Sequence, residues 1–262
     1  MQLSISNIGW ASEQDKTVYL LMKKYGFEGL EIAPTRIFPN SPYENINQAS
    51  IWADEMKKLY GFTVPSMQSI WFGRKEKLFG TEEERSILLE YTKKAIDFAA
   101  AVNCGNLVFG CPKNRYISNM DDLKAGIDFF KVIGDYAADR KTVIGMEANP
   151  AIYNTNYIND TVSALELIEA VASAGFLLNL DVGTMIQNEE QVEELNGKVK
   201  LINHVHISEP ELKPIQKREL HTRLRDVLIA ENYRGFISVE MGKTGDLQDI
   251  ENTLKYVKET FG

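Results

Sequence analysis

The sequence contains little cysteine and no concentrated positive charge. Its 262 residues include only Cys104 and Cys111, whose spacing suits neither a zinc site nor a redox pair. Thiols without such a motif are typical of a reducing compartment, so we expect a cytoplasmic protein. There are 29 basic and 37 acidic residues, which gives a formal charge of −8, and no run is rich in Lys or Arg. We therefore expect no nucleic-acid partner, because the electrostatic footprint for a phosphate backbone is missing.

Long apolar runs and linker-like stretches are also missing. No run approaches the ~20 apolar residues that span a bilayer, so we expect no membrane partner. The first residues, MQLSISNIGW, have the pattern of a strand and lack the features of a signal peptide. No stretch rich in Pro, Ser or Gly divides the chain. We expect one domain over residues 1–262, a size that α/β barrels commonly have.

The chain does contain a regular alternation of short apolar segments and amphipathic segments. Amphipathic helices are predicted over Ser12–Tyr25, Ile46–Tyr60, Thr81–Val102, Asp121–Ala138, Thr161–Ala174, Glu189–Leu195, Gln216–Glu231 and Leu247–Thr260. The predicted strands are Leu3–Trp10, Phe27–Ala33, Phe62–Ile70, Asn106–Gly110, Lys141–Pro150, Phe176–Thr184, Leu201–Pro210 and Gly235–Gly242. This order predicts an α/β protein with a single (β/α)8 TIM barrel.

Four helix-to-strand junctions share a Gly-Phe pair, which supports one repeating unit. The pairs are Gly26-Phe27, Gly61-Phe62, Gly175-Phe176 and Gly235-Phe236. Glycine can adopt the left-handed conformation that ends a helix, and the apolar residue after it can pack back on that helix.

Four consecutive predicted strands each carry a metal-binding residue type near the C-terminal end. The residues are Glu147, Asp181, His206 and Glu240, separated by 34, 25 and 34 positions counted along the chain. In a (β/α)8 barrel these strand ends build the active site. Two Glu, one Asp and one His suit a divalent ion such as Mn, Co, Mg or Zn. His204 lies on the same strand face as His206 but one layer deeper, where a hydrogen-bonded histidine of the core or behind the ligands is expected.

Other side chains near the strand ends are candidate substrate contacts. Trp71 could wall a pocket with Phe72 and Arg74, and Lys213 could bind a substrate oxygen or phosphate, but packing or a solvent-exposed role is equally open for each. Glu31, at the end of the second strand, could hydrogen-bond a polar substrate or orient a ligand, and a structural role is equally open. The full set of candidates is Glu31, Trp71, Asn149, His204, Glu209, Lys213 and His221.

Short segments of the chain resemble the xylose-isomerase-like TIM-barrel superfamily, in its branch of sugar phosphate isomerases and epimerases. The matching segments are GMEANP, LDVGT, HVHISE and SVEMG, with GLEI in the second strand. The resemblance implies that Glu147, Asp181, His206 and Glu240 bind the metal ion and that Glu147 and Glu240 also transfer protons. After His206 the chain departs from the family's usual turn, so substrate contacts from that loop do not carry over.

The expected activity is a metal-dependent isomerisation or epimerisation of a small-molecule carbohydrate. The substrate would be a sugar, a sugar phosphate or a keto-polyol, and proton transfer would pass through a metal-stabilised enediolate. One alternative is a dehydratase or lyase that uses the same enediolate, and another is a sugar-binding barrel without turnover. The superfamily also includes abasic-site endonucleases, but their histidine-rich metal clusters fit poorly with three histidines in an acidic chain. The oligomeric state, including a homo-oligomer, stays open.

Overall fold

Short parallel strands and longer helices alternate along the whole chain, and the computed structural model describes all residues 1–262. The strands are β1 (Gln2–Ser6), β2 (Gly29–Glu31), β3 (Leu107–Phe109), β4 (Ile144–Met146), β5 (Phe176–Asp181), β6 (Ile202–Ile207) and β7 (Phe236–Val239). The helices are α1 (Asp15–Tyr25), α2 (Pro34–Ile37), α3 (Ile46–Tyr60), α4 (Glu82–Ala101), α5 (Asp121–Asp139), α6 (Thr161–Val171), α7 (Val182–Asn188), α8 (Glu219–Ala230) and α9 (Leu247–Phe261).

The seven strands form one parallel sheet, in the order β2-β1-β7-β6-β5-β4-β3. The segment 63–67 lies between the two outer strands: Thr63 pairs with Gly29 of β2, and Met67 pairs with Leu107 of β3. The Met67 amide donates to the carbonyl of Asn106 over 2.9 Å. This eighth segment closes the ring, which confirms the predicted TIM barrel.

The predicted strand Phe62–Ile70 is wrong as a regular strand, although the segment occupies the expected place. Only isolated bridges connect it to its neighbours. Pro65 lies in its middle and has no amide hydrogen, so a continuous hydrogen-bond ladder cannot form there.

The helix after β5 differs from the prediction. The structure has α7 directly behind Asp181, whose carboxylate accepts a hydrogen bond from the amide of Thr184 and caps the helix. The predicted acidic helix Glu189–Leu195 shrinks to a 3-10 turn at Val192–Leu195. Asp181 therefore ends a strand and begins a helix at once, which the strand pattern alone did not indicate.

The Gly-Phe junctions follow two different rules. Gly26 and Gly61 have φ of 72° and 80° and end α1 and α3 in the left-handed conformation, as predicted. At the other two junctions that prediction is wrong, because Ala172 and Asn232 take the left-handed conformation. Gly175 is needed for space instead, since a Cβ atom there would collide with the backbone oxygen of Gly134 in α5.

The interior of the protein has two parts, an apolar layer outside the sheet and a largely polar centre inside the barrel. A single cluster of 61 buried hydrophobic residues fills the space between the sheet and the helices. Inside the barrel, many of the buried side chains are polar, and they include Ser4, Ser6, Glu31, Asn179, His204, His206 and Ser238. No helix combines the length and apolar character needed to cross a membrane. Polar groups with no access to water must bind one another or a ligand.

Candidate metal centre

Four side chains converge just beyond the C-terminal ends of neighbouring strands. Glu147 follows β4, Asp181 ends β5, His206 lies in β6 and Glu240 follows β7. Each offers a ligand atom within 4.8 Å of those of the other three. The parallel pairing of β4 to β7 brings them together. The structure thus assembles the four residues that the sequence indicated, called the quartet below; their role as ligands stays a prediction.

His206 lies among the carboxylates of the quartet. Its Nδ1 atom is 3.1 Å from Glu147 Oε1 and 3.2 Å from Glu240 Oε2, and its Nε2 atom is 2.9 Å from Glu31 Oε2. Burial alone would lower the pKa of His206, but the charges of Glu31 and Glu240 and the hydrogen bonds to Glu147 and Glu240 raise it well above the ordinary value. The imidazole is therefore bound by acids on both sides of its ring.

The carboxylate of Asp181 is held by three donors. Its Oδ2 atom accepts from the Thr184 amide over 2.7 Å and from the Thr184 hydroxyl over 2.8 Å. Its Oδ1 atom accepts from the hydroxyl of Ser208, which in turn accepts from the Gly183 amide. Burial raises the pKa of Asp181 to about 6, and the charge of Glu147 acts in the same direction.

The carboxylate of Glu147 is held by two amides. Asn179 donates to its Oε1 atom over 2.9 Å, and Asn149 donates to its Oε2 atom over 3.2 Å. Arg115, which is fully buried, donates to the Asn149 side chain over 2.7 Å and to the Glu147 carbonyl over 2.9 Å. Burial lowers the pKa of Arg115 to about 10, which still leaves it a cation. The sequence pattern gave no signal for Arg115, whereas Asn179 and Ser208 share strand faces with Asp181 and His206.

Glu240 is held less tightly than Glu147. Its side chain contacts His206 and is otherwise free of hydrogen bonds within the protein. Burial raises the pKa of Glu240 to about 7, and the charges of Glu147 and Asp181 add to that rise. The carboxylates of Glu147, Asp181 and Glu240 lie close together beside His206, an arrangement that positive charge would stabilise. A divalent ion would supply it, and carboxylate oxygens with an imidazole nitrogen are its usual donors.

A cavity of about 620 Å³ opens above the two glutamates of the quartet. Trp71 and Phe72 from the loop after the 63–67 segment line it, together with Leu212. The Trp71 side chain is fixed by a 2.8 Å hydrogen bond from its indole nitrogen to the Thr92 hydroxyl, while Phe72 is 68% exposed. The volume is typical of a small-molecule site.

The predicted substrate contacts divide into two groups. Trp71 lines the cavity, and Asn149 holds Glu147. Glu31 and His204 lie behind the quartet, where Glu31 has no exposed surface and His204 is 1% exposed. These four residues belong to the centre or its surroundings.

Glu209, Lys213 and His221 do not reach the quartet. Glu209 accepts a hydrogen bond from Arg218 over 2.8 Å, and Lys213 forms an exposed ion pair with Glu211. His221 lies in α8, with Nδ1 2.8 Å from the hydroxyl of Tyr256 in α9. None of the three lines the cavity. Of the loop after β6, Leu212 reaches the cavity, whereas Glu209 and Lys213 bind other residues. The substrate roles of Glu209, Lys213 and His221 therefore stay predictions without a supporting contact.

Comparison with known proteins gives one family and several solved structures of the same fold. The model of the xylose isomerase-like TIM barrel matches residues 20–260. The structure is similar to 3-keto-D-glucoside 4-epimerase of E. coli, with a TM-score of 0.79, 21% identity and 99% of each chain covered. It is also similar to a D-psicose 3-epimerase, with a TM-score of 0.78, 15% identity and 100% of each chain covered.

A further solved structure of this fold carries a different name. An AP endonuclease, family 2, of Brucella melitensis has a TM-score of 0.74 and 18% identity, with 99% of each chain covered. At such identities the likeness shows the fold alone. A search of curated proteins with the sequence finds no match. Because the family model covers nearly the whole chain, the protein belongs to the xylose isomerase-like TIM-barrel family.

Proposed function

We propose that the protein is a divalent-metal-dependent isomerase or epimerase of a keto-sugar. One observation carries the proposal: Glu147 and Glu240, from strands β4 and β7, line the same cavity and lie beside Asp181 and His206. With two carboxyl groups at one cavity, one can remove a proton from a substrate carbon and the other can return it.

The quartet would hold the ion through three carboxylates and Nδ1 of His206. When bound, a Mn, Co, Mg or Zn ion supplies a Lewis acid that polarises a carbonyl group and favours negative charge on its oxygen. Asp181 would bind the ion without transferring a proton, because Thr184 and Ser208 already fix both of its oxygens.

Glu147 and Glu240 would move the protons. Glu147 is fixed by Asn149 and Asn179, so its carboxylate keeps one orientation. Glu240 has the greater freedom, because His206 is its only hydrogen-bond partner within the protein. A carboxylate with such freedom suits the acceptance and return of a proton. If the proton returns to the opposite face of the same carbon, the product is an epimer; if it returns to the next carbon, the product is an isomer.

The cavity supports a carbohydrate substrate. The ring of Phe72 is exposed at the cavity, and an aromatic face can pack against the C–H face of a sugar ring. The solved structures named for 3-keto-D-glucoside and D-psicose epimerases have the same fold. An abasic-site nuclease is less favoured, because the quartet contains only one histidine.

The test is solvent exchange with a panel of ketoses and keto-glycosides. Metal-depleted protein receives each of the four ions in D₂O, and NMR follows the carbon next to the carbonyl. We expect deuterium at that carbon together with an epimer or isomer. Loss of water would instead identify the dehydratase alternative, and sugar binding without exchange would identify a non-catalytic barrel. Either result contradicts the proposal.

A further inference from the structure

A second acid–histidine group lies directly behind the quartet. Glu31 Oε2 is 3.0 Å from His204 Nε2 and 2.9 Å from His206 Nε2. His204 and His206 both point into the barrel because they are two positions apart on β6. A single carboxylate oxygen therefore binds both imidazoles, and His206 keeps only Nδ1 for the quartet.

Glu31 is out of reach of a substrate. Its side chain has no exposed surface and does not line the cavity. Its other oxygen, Oε1, accepts from Gln68 Nε2 over 3.1 Å, and that amide also donates to Ser6 over 2.8 Å. Both oxygens are thus engaged by buried side chains from two parts of the barrel, β6 and Gln68 beside the 63–67 segment. Such a carboxylate can fix a neighbour but cannot contact a sugar.

We propose that Glu31 is a positioning residue, which fixes His206 with Nε2–H donated to Glu31 and with Nδ1 free to bind the ion. This inference rests on the proposed metal site. A carboxylate that accepts the second N–H of a metal-bound histidine sets its tautomer and ring orientation and makes the bound nitrogen a stronger donor. His204 holds Glu31 in place from one side, and Gln68 holds it from the other.

The same three side chains could instead bind a second ion. Their ligand atoms also lie within 4.8 Å of one another. Counting the bound ions distinguishes the two possibilities, since the positioning role requires one ion per chain.

The test measures ion binding rather than turnover. Metal-depleted protein is titrated with Mn²⁺ by calorimetry, as wild type, as Glu31→Gln and as Glu28→Gln. Glu28 is the matched control, because it lies three residues earlier and is exposed. We expect one ion per chain in all three proteins, with a Kd raised about 10- to 100-fold in Glu31→Gln only.

Two further readouts separate positioning from other roles. With saturating ion, Glu31→Gln keeps the KM for the ketose, since Glu31 does not touch the substrate, whereas a substrate contact would raise it. The visible spectrum of the Co²⁺ form shifts in Glu31→Gln and not in Glu28→Gln, because the imidazole becomes a weaker donor.

Several results would overturn the inference. One is a folded Glu31→Gln that binds Mn²⁺ as tightly as wild type; another is a wild type that binds two ions and loses one in this variant. If Glu31→Gln does not fold, His204→Asn removes one support of Glu31, and we expect a weaker but measurable loss of ion affinity. An unchanged affinity there also contradicts the inference. A wild type that binds one ion but exchanges no ketose proton would reject the proposed activity and leave the role of Glu31 standing.

Discussion

His206 and His221 are both completely buried, yet their surroundings differ fundamentally. His206 lies at the strand ends, and acids on both sides of its ring raise its pKa. His221 lies between α8 and α9, where Tyr256 is its hydrogen-bond partner and its Nε2 atom has none. Burial there lowers the pKa of His221 to about 4, so it is neutral at neutral pH.

The comparison shows that neighbouring charge, and not burial, distinguishes a candidate ligand from a core residue. Burial removes water from both imidazoles and disfavours the charged form of each. Around His206 the carboxylates of Glu31, Glu147 and Glu240 reverse that effect. Around His221 the charge of Glu209 opposes burial, but the charge of Arg218 acts with burial, and the pKa stays low. A divalent ion can replace the proton of His206, whereas the surroundings of His221 hold no place for a cation.

The largest expected effect comes from neutralising an acid beside His206. Glu147→Gln and Glu240→Gln each remove a group that we propose to transfer a proton, and we expect kcat to fall by about 10² to 10⁴. The control is Glu194→Gln, an exposed acid outside the centre. Steady-state kinetics on the active ketose measures the effect. Normal turnover in either variant, with the fold intact by circular dichroism, would remove that glutamate from the mechanism.

The next largest expected effect is a pH dependence of the free energy of unfolding that His221 causes. Its folded pKa of about 4 lies below the ordinary value of 6.5, so the unfolded chain takes up the proton first as the pH falls. Stability is therefore full above pH 6.5 and is lost towards pH 4, by up to about 3 kcal/mol.

Denaturant unfolding of wild type and His221→Gln at several pH values measures this contribution. We expect the difference between the two proteins to change over the pH range 6.5 to 4, with the variant less sensitive to acid. Parallel curves over that range would show that His221 is not the neutral core histidine described above.

The smallest expected effect compares one hydroxyl from each region. Ser208→Ala removes a donor to Asp181, and we expect ion binding to weaken by about 1 kcal/mol, roughly fivefold. Tyr256→Phe removes the partner of His221, and ion binding should not change. Calorimetric titration with Mn²⁺ measures both. If both variants bind the ion with equal affinity, Ser208 does not support the metal centre any more than Tyr256 does.

The sequence predicted that the four residues of the quartet lie together, because local rules control where each side chain points. The period of two in β5 and β6 orients Asp181 and His206 into the barrel, and the parallel pairing of the two strands places them side by side. Glu147 and Glu240 stand at the same height because each directly follows its strand. No long-range information was needed beyond the barrel itself.

The contacts that the sequence did not indicate depend on loop paths or on residues far apart in the chain. His221 follows the histidine strand in the chain, but α8 carries it to Tyr256. Arg115 reaches Glu147 from a loop after β3, and no periodicity marks such a contact. For Glu31 the sequence left open whether it contacts a substrate or orients a ligand, and only the packing of β2 against β6 side chains across the barrel shows that it binds His204 and His206.

The most direct test of the metal centre is a thermal melt of wild type, His206→Ala and His221→Gln. Each protein is first treated with a chelator, and Mn²⁺, Co²⁺, Mg²⁺ or Zn²⁺ is then added back. An ion at 100 times its Kd stabilises the folded state by about 2.7 kcal/mol, which is a shift in Tm of roughly 5–10 °C for a chain of this size. We predict that shift for wild type and His221→Gln with at least one ion, and none for His206→Ala. No shift in wild type with any of the four ions, or an equal shift in His206→Ala, would contradict the metal centre.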